Sequence, residues 1–206
     1  MFKKKEKAPL EPQYYESPTG IPTYNYNVYY MTKLEKIIYF LIAFAVGAAV
    51  GYLFYGGIGK DDLGNATTVT YVLDIIVCVL VGGIAGKMFL PIRTQQIIKK
   101  RKNDLRLQFR ELLDALATSI GSGKNIVDSF KSAYDDLSII YNEDASIIKE
   151  LAIILDGNNN NIEIEKSLMD MGLRSGIDDI VSFANVFETC RSEEHTSELQ
   201  SRFGIS

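Results

Sequence analysis

The chain has 206 residues, 47% of them hydrophobic, with a formal charge of −4 and a mean hydropathy near zero. That length has room for one or two domains, and the mean conceals an apolar first half followed by a highly charged second half. Two cysteines, Cys78 and Cys190, with no metal-type spacing around either, provide neither a disulfide framework nor a zinc site.

Residues 1–33 open with Lys3, Lys4, Lys5 and Lys7 and then scatter Pro9, Pro12, Pro18 and Pro22 among tyrosines. No apolar period is available to bury a core, so this segment reads as a flexible cytoplasmic tail. Tyr24, Tyr26, Tyr29 and Tyr30 approach the first apolar stretch, where amphipathic rings suit the lipid headgroup layer.

Ile37 to Gly59 carries no charge over 23 residues. At about 1.5 Å per residue that crosses a hydrocarbon core of about 30 Å. The run is too long, and starts too far into the chain, for a cleaved signal peptide. Lys60, Asp61 and Asp62 begin a short polar loop, and Leu63 to Gly86 makes a second span interrupted by Asp74, with Lys87 placed to snorkel. Gly47 with Gly51, and Gly82 with Gly86, are small-residue pairs four apart that allow close helix approach, either within the hairpin or to another membrane helix. Asp74 either marks a buried polar contact or sits near the outer interface.

Beyond the second span Lys87, Arg93, Lys99, Lys100, Arg101, Lys102, Arg106 and Arg110 face a single Asp104. With Lys33 and Lys36 ahead of the first span, this collar places both ends in the cytoplasm by the positive-inside rule. Lys99, Lys100, Arg101 and Lys102 are the residues expected to meet anionic lipid. Residues 111–190 carry 15 carboxylates against 5 cations. An acidic module of that kind excludes nucleic acid as the partner, because phosphate binding needs cations on the folded domain.

Pro91 is expected to break the second span from an amphipathic helix containing Leu105, Phe109, Leu112, Leu113, Leu116 and Ile120, ended by Gly121 and Gly123. Asn125 can cap a following helix with Ile126, Phe130, Ala133 and Leu137 inward, the two forming an antiparallel hairpin. A third helix from about Glu143 buries Ile147, Ile148, Leu151, Ile154 and Leu155, and Gly157 stops it. After Asn158–Asn161, a short helix with Ile164, Leu168 and Met171 inward ends at Gly172. Ser175 caps another, with Ile177, Ile180, Val181, Ala184 and Phe187 on one face. No period-two alternation occurs in this half, so no sheet is expected there.

From Arg191 the apolar stripe ends, and no continuation of the last helix is expected. Residues 191–201, Arg-Ser-Glu-Glu-His-Thr-Ser-Glu-Leu-Gln-Ser, match the translation of a widely used sequencing adapter codon for codon. Residues 191–206 are therefore read as an adapter-derived tail, with the native frame lost near Cys190 and the product truncated. His195, the chain's one histidine, then carries no function.

No catalytic, cofactor-binding or metal-binding residue is assigned, and no enzyme is expected. Ser122-Gly123-Lys124 resembles a phosphate-binding loop, but Thr118 stands where that motif needs glycine, Asn125 follows the lysine, and a helix rather than a strand precedes it. The pairs Asp135/Asp136 and Asp178/Asp179 are adjacent on helices and so diverge by roughly 100°, which suits a solvated face or a helix N-terminus better than a shared ligand.

Leu107-Gln108-Phe109-Arg110-Glu111-Leu112-Leu113-Asp114-Ala115-Leu116, then Gly121-Ser122-Gly123 and Asn125 through Phe130, resemble the cytoplasmic domain of the type II secretion system F family. The likeness continues through Ile147 to Leu151, Gly157, and Arg174 to Phe187, covering roughly residues 88–190. Two spans ahead of the domain resemble the Tad pilus subgroup. The resemblance implies an inner-membrane platform, homo- or hetero-oligomeric, whose partners are a cytoplasmic assembly ATPase, pilin or pseudopilin, and other membrane platform subunits. Members of this subgroup go on to another helix and two more spans, which this chain lacks, and the loss would expose Phe183 or Phe187.

The expected architecture is thus all-α: a two-span transmembrane helical hairpin (residues 34–90, spans about 37–59 and 64–90), then an incomplete cytoplasmic antiparallel helix bundle (91–190). Gly123, Asn125 and Gly157 are its turn residues, and Asp135 and Asp136 are the acidic pair expected to face the ATPase. The rival expectations are a membrane transporter or exporter with Asp74 in its pathway, or a membrane-tethered signalling adaptor.

Overall fold

The computed structural model describes residues 11–16, 20–58 and 66–203, with side chains as far as Arg191. The lysine cluster at Lys3–Lys7, Pro9, Pro18, and the loop Lys60–Asp62 lie outside the described residues. In chain order the elements are strands β1 (Tyr14–Glu16) and β2 (Pro22–Tyr24), then helices α1 (Lys33–Tyr55), α2 (Thr68–Gly121), α3 (Ile126–Ile140), α4 (Ser146–Asn159), α5 (Ile164–Ser175) and α6 (Asp178–Phe203). They fall into two compact units, Tyr29–Ile97 and, drawn from either side of it, Met1–Val28 with Ile98–Ser206.

The first unit is a helical hairpin. Thr32 caps α1 with a reciprocal capping box: its hydroxyl accepts from the Glu35 N–H (3.3 Å), and the Glu35 carboxylate accepts from the Thr32 N–H (2.8 Å). Both α1 and the first part of α2 are long and apolar enough to cross a membrane, and only 17% and 11% of their most apolar stretches are buried. A core helix of a water-soluble protein would be mostly covered. Here Leu41, Val46, Leu53, Phe54, Ile75, Leu80 and Ile84 stand exposed instead, as lipid-facing side chains do.

The glycines set the approach of the two helices. A Cβ on Gly47 would lie 2.6 Å from Ala85 Cβ, and one on Gly82 would meet the Phe44 carbonyl and ring at 2.9 Å. Of the two roles open to these pairs, packing within the hairpin is the one the geometry uses. Asp74 Oδ1 accepts from the Gly57 N–H at 2.9 Å, so it closes the turn that follows α1.

Pro91 does not break the second span. It lies inside α2, a single helix of 54 residues. Proline costs an interior helix one hydrogen bond and a clash with the preceding turn, but an apolar span tolerates it where local adjustments satisfy the backbone. Thr94 Oγ1 donates to the Leu90 carbonyl at 3.0 Å beside it.

In the second unit the helical periodicities hold except at Ile120, which is exposed at the end of α2. Leu105, Phe109, Leu112 and Leu116 of α2 are buried against Phe130, Ala133 and Leu137 of α3, Ile147, Ile148, Leu151 and Ile154 of α4, Ile164, Leu168 and Met171 of α5, and Ile177, Ile180 and Ala184 of α6. Gly123 has φ 88°, a left-handed turn that suits glycine, and Asn125 Oδ1 caps α3 by accepting from the Asp128 N–H at 2.8 Å. Residues 91–190 contain no strand.

Two helix stops shift. Gly157 lies within α4, which runs to Asn159, and Gly172 lies within α5. The stop of α5 is Gly176, left-handed at φ 60°. Gly172 is needed for contact instead, since a Cβ there would lie 2.9 Å from Val181 Cγ2 on α6. Phe183 and Phe187 are half-buried rather than bare, edge-on to Phe109 (5.6 Å) and Phe130 (6.1 Å) respectively.

The N-terminal segment departs furthest from expectation. Residues 11–16 and 20–28 form a strap on the bundle rather than a flexible tail; residues 1–10 and 17–19 of that segment lie outside the described residues. β1 and β2 pair antiparallel with Tyr14 opposite Tyr24 and Tyr15 opposite Thr23; Pro22 opens its strand, where a missing N–H is tolerated. Thr23, Asn25 and Tyr26 are 1%, 4% and 4% exposed, so Tyr26 is a core residue and not a headgroup anchor.

At the other end α6 continues to Phe203, through the residues expected not to extend it. Glu, Leu, Gln and Arg are good helix formers, and no proline or glycine intervenes before Gly204, so the helix needs no apolar stripe to propagate.

Candidate functional site

The most constrained polar cluster among the described residues lies where the strap meets α4 and α5. Glu150 sits on the inner face of α4, between Ile147 and Ile154, and Arg174 follows Met171 by three residues on α5. Helical spacing turns both charges toward the core. Their side chains are 2% and 7% exposed, and Arg174 Nη2 and Nη1 donate to Glu150 Oε2 and Oε1 at 2.7 and 3.0 Å.

Further hydrogen bonds hold both side chains. Arg174 Nε donates to Asp170 Oδ2 at 2.6 Å, and Nη1 also reaches the Tyr24 carbonyl at 3.0 Å. The Tyr26 hydroxyl donates to Glu150 Oε1 at 2.9 Å. The Arg174 carbonyl in turn accepts from the Tyr26 N–H (3.3 Å) and from Asn27 Nδ2 (3.1 Å). A bidentate, hydrogen-bonded pair of this kind offsets the desolvation that a buried charge suffers.

Burial, and then the neighbouring Glu150 carboxylate, raise the Tyr26 pKa well above the ordinary tyrosine value. Burial alone would lower that of Arg174, but its hydrogen bonds and charge contact with Glu150 outweigh this and raise it. The sign for Tyr26 sets a pH window. The docked phenol is held neutral, so Tyr26 ionisation does not oppose docking below about pH 10, where a free tyrosine ionises, and does so increasingly above it. Amide exchange of residues 20–28, corrected for intrinsic rates, is therefore expected to show constant protection from pH 6 to 9 and declining protection beyond pH 10.

Beside the pair an open polar cavity of about 540 Å³ is lined by Glu11, Tyr15 and Glu16 of the strap and by Asp170, Leu173 and Arg174 of α5. Its carboxylates are not arranged as metal ligands, and no group of three metal-ligating side chains occurs among the described residues.

Residues singled out in the sequence are dispersed. Asp135 and Asp136 are exposed on α3, next to the exposed Ile139 and Ile140. Asp178 and Asp179 occupy the first turn of α6, where carboxylates favour the helix dipole, and Asp179 pairs with Arg106 at 3.3 Å. Lys124 donates to Ser132 Oγ at 2.7 Å, within the turn it was compared with a phosphate loop for. Of the four collar cations, Lys99 and Lys100 are exposed and Arg101 is half-buried beside Tyr24 and Tyr26. Lys102 donates to Asn27 Oδ1 at 2.6 Å, so it serves the strap.

Neither Glu150 nor Arg174 belongs to a motif in the sequence. The available signal was a charge three residues after an apolar residue that must be buried, Ile147 before Glu150 and Met171 before Arg174. Comparison of the chain with protein-family models, with curated proteins and with solved structures gives no match.

Proposed function

We propose that this chain is a non-enzymatic membrane platform of a type II secretion or type IV/Tad pilus assembly machine, coupling a cytoplasmic assembly ATPase to pilin or pseudopilin assembly. Its place is the inner membrane, multi-pass, with both described ends cytoplasmic. The observation that carries the reading is α2: one helix begins in the apolar hairpin and ends with Leu105, Phe109, Leu112 and Leu116 buried in the bundle. The segments that resemble the secretion F family are the ones that build this helix, the Gly123–Asn125 turn and the α5–α6 pair.

Lys99 and Lys100 would meet anionic headgroups, and α3 would offer the ATPase an acidic and apolar surface, with Asp135 and Asp136 beside Ile139 and Ile140, which are 86% and 67% exposed. The exporter reading is less well supported, because Asp74 is engaged in closing the α1 turn.

The test is Asp135→Lys with Asp136→Lys in the full chain. Retention of a purified type II secretion or pilus assembly ATPase should fall about tenfold at low salt, and the difference should narrow as salt screens the charges. Retention unchanged at every salt concentration would remove this surface from the proposal.

A further inference from the structure

Among the described residues, the strap is the non-helical segment that hydrogen-bonds to the Glu150–Arg174 pair. Tyr26 donates to Glu150 Oε1, and the Tyr24 carbonyl accepts from the same guanidinium nitrogen that serves Oε1. Asn27 ties the strap to the end of α5 through the Arg174 carbonyl. Residues 28–32 connect the strap to α1.

The worth of an ion pair depends steeply on its surroundings. Fixed and dry, a bidentate carboxylate–guanidinium pair couples its two helices strongly; in water it contributes little and is screened by salt. We propose that residues 20–28 are a lid that switches the α4–α5 connection between these two regimes. With the lid docked, Glu150 and Arg174 lock α5 to α4; with it lifted, the same two residues become a weak, hydrated surface pair and the end of α5 loosens. The lid stands whether or not the partner of the bundle is an ATPase.

The experiment is a double-mutant cycle read by hydrogen exchange of α5 amides in the full chain in lipid nanodiscs. Wild type, Glu150→Gln, Arg174→Gln and the double variant are each measured with the lid intact and in a Tyr26→Ala background. The expected coupling is about 30-fold in protection with the lid intact. Without it the coupling should be at most about threefold.

Should the Arg174 variants not fold, a salt series on wild type, Tyr26→Phe and Tyr26→Ala decides the matter. Protection of α5 should be flat between 50 and 500 mM salt in wild type and nearly so in Tyr26→Phe, which keeps the covering ring. It should fall severalfold in Tyr26→Ala. Equal coupling in both backgrounds, identical salt responses, or strap amides that exchange in wild type like a free peptide would each overturn the lid.

Discussion

Replacing Arg174 with alanine is expected to cost the bundle about 3–5 kcal/mol, because Glu150 is left as a buried charge without its partner. Glu150 is 2% exposed and cannot rehydrate without displacing Tyr26. Asp170, with its side chain 54% exposed, returns to water at little cost. The Tyr24 carbonyl loses a donor as well, so the strap should loosen with the pair. Replacing both partners, Glu150→Leu with Arg174→Met, removes the buried charge altogether and should recover at least about 2 kcal/mol of the loss. Chemical denaturation in detergent, followed by the exchange of core amides, distinguishes the two variants. If the double variant is no more stable than Arg174→Ala, the loss comes from the strap and not from the stranded carboxylate.

Phe109→Ala is the second large effect, expected at about 3–5 kcal/mol from lost burial and the cavity left behind. Phe109 is 1% exposed on α2 and meets the Phe183 ring edge-on at 5.6 Å. Phe183 itself lies 5.7 Å from the Phe187 ring, so the cavity would open beneath an aromatic row. Leu107→Ala, two residues away and 49% exposed, should stay within about 0.5 kcal/mol. Comparable melting shifts for the two variants would mean that this face of α2 is not a core face.

The helical half was legible because its signal is periodic and local. Asn125 had the side chain for a cap, Gly123 the freedom for φ 88°, and Phe130, Ala133 and Leu137 the spacing of one face. Stops were less legible, since glycine serves two ends. At Gly176 it permits a left-handed cap, while at Gly172 it permits helices to touch, and only the neighbour Val181 tells the two apart. Pro91 is a related case: its cost is local, and α2 continues on both sides of it. The tail beyond Arg191 lacked a stripe, yet a helix already nucleated by buried Ile180 and Ala184 propagates on propensity alone.

The strap shows where local reasoning stops. Its strands are three residues long, its composition is polar and proline-rich, and none of its tyrosines repeats with a period. What orders it is contact with residues up to 150 positions away: the Tyr24 carbonyl with Arg174, and Tyr26 with Glu150. By itself, the sequence determined that this protein has two membrane-length helices, a cationic collar and a bundle of helices with known inner faces, because hydropathy and helical spacing are properties of neighbours in the chain. Only the tertiary structure decided that two inward charges find each other, that the N-terminal segment covers them, and that Lys102 serves this strap, because each of those contacts joins groups that no sequence period connects.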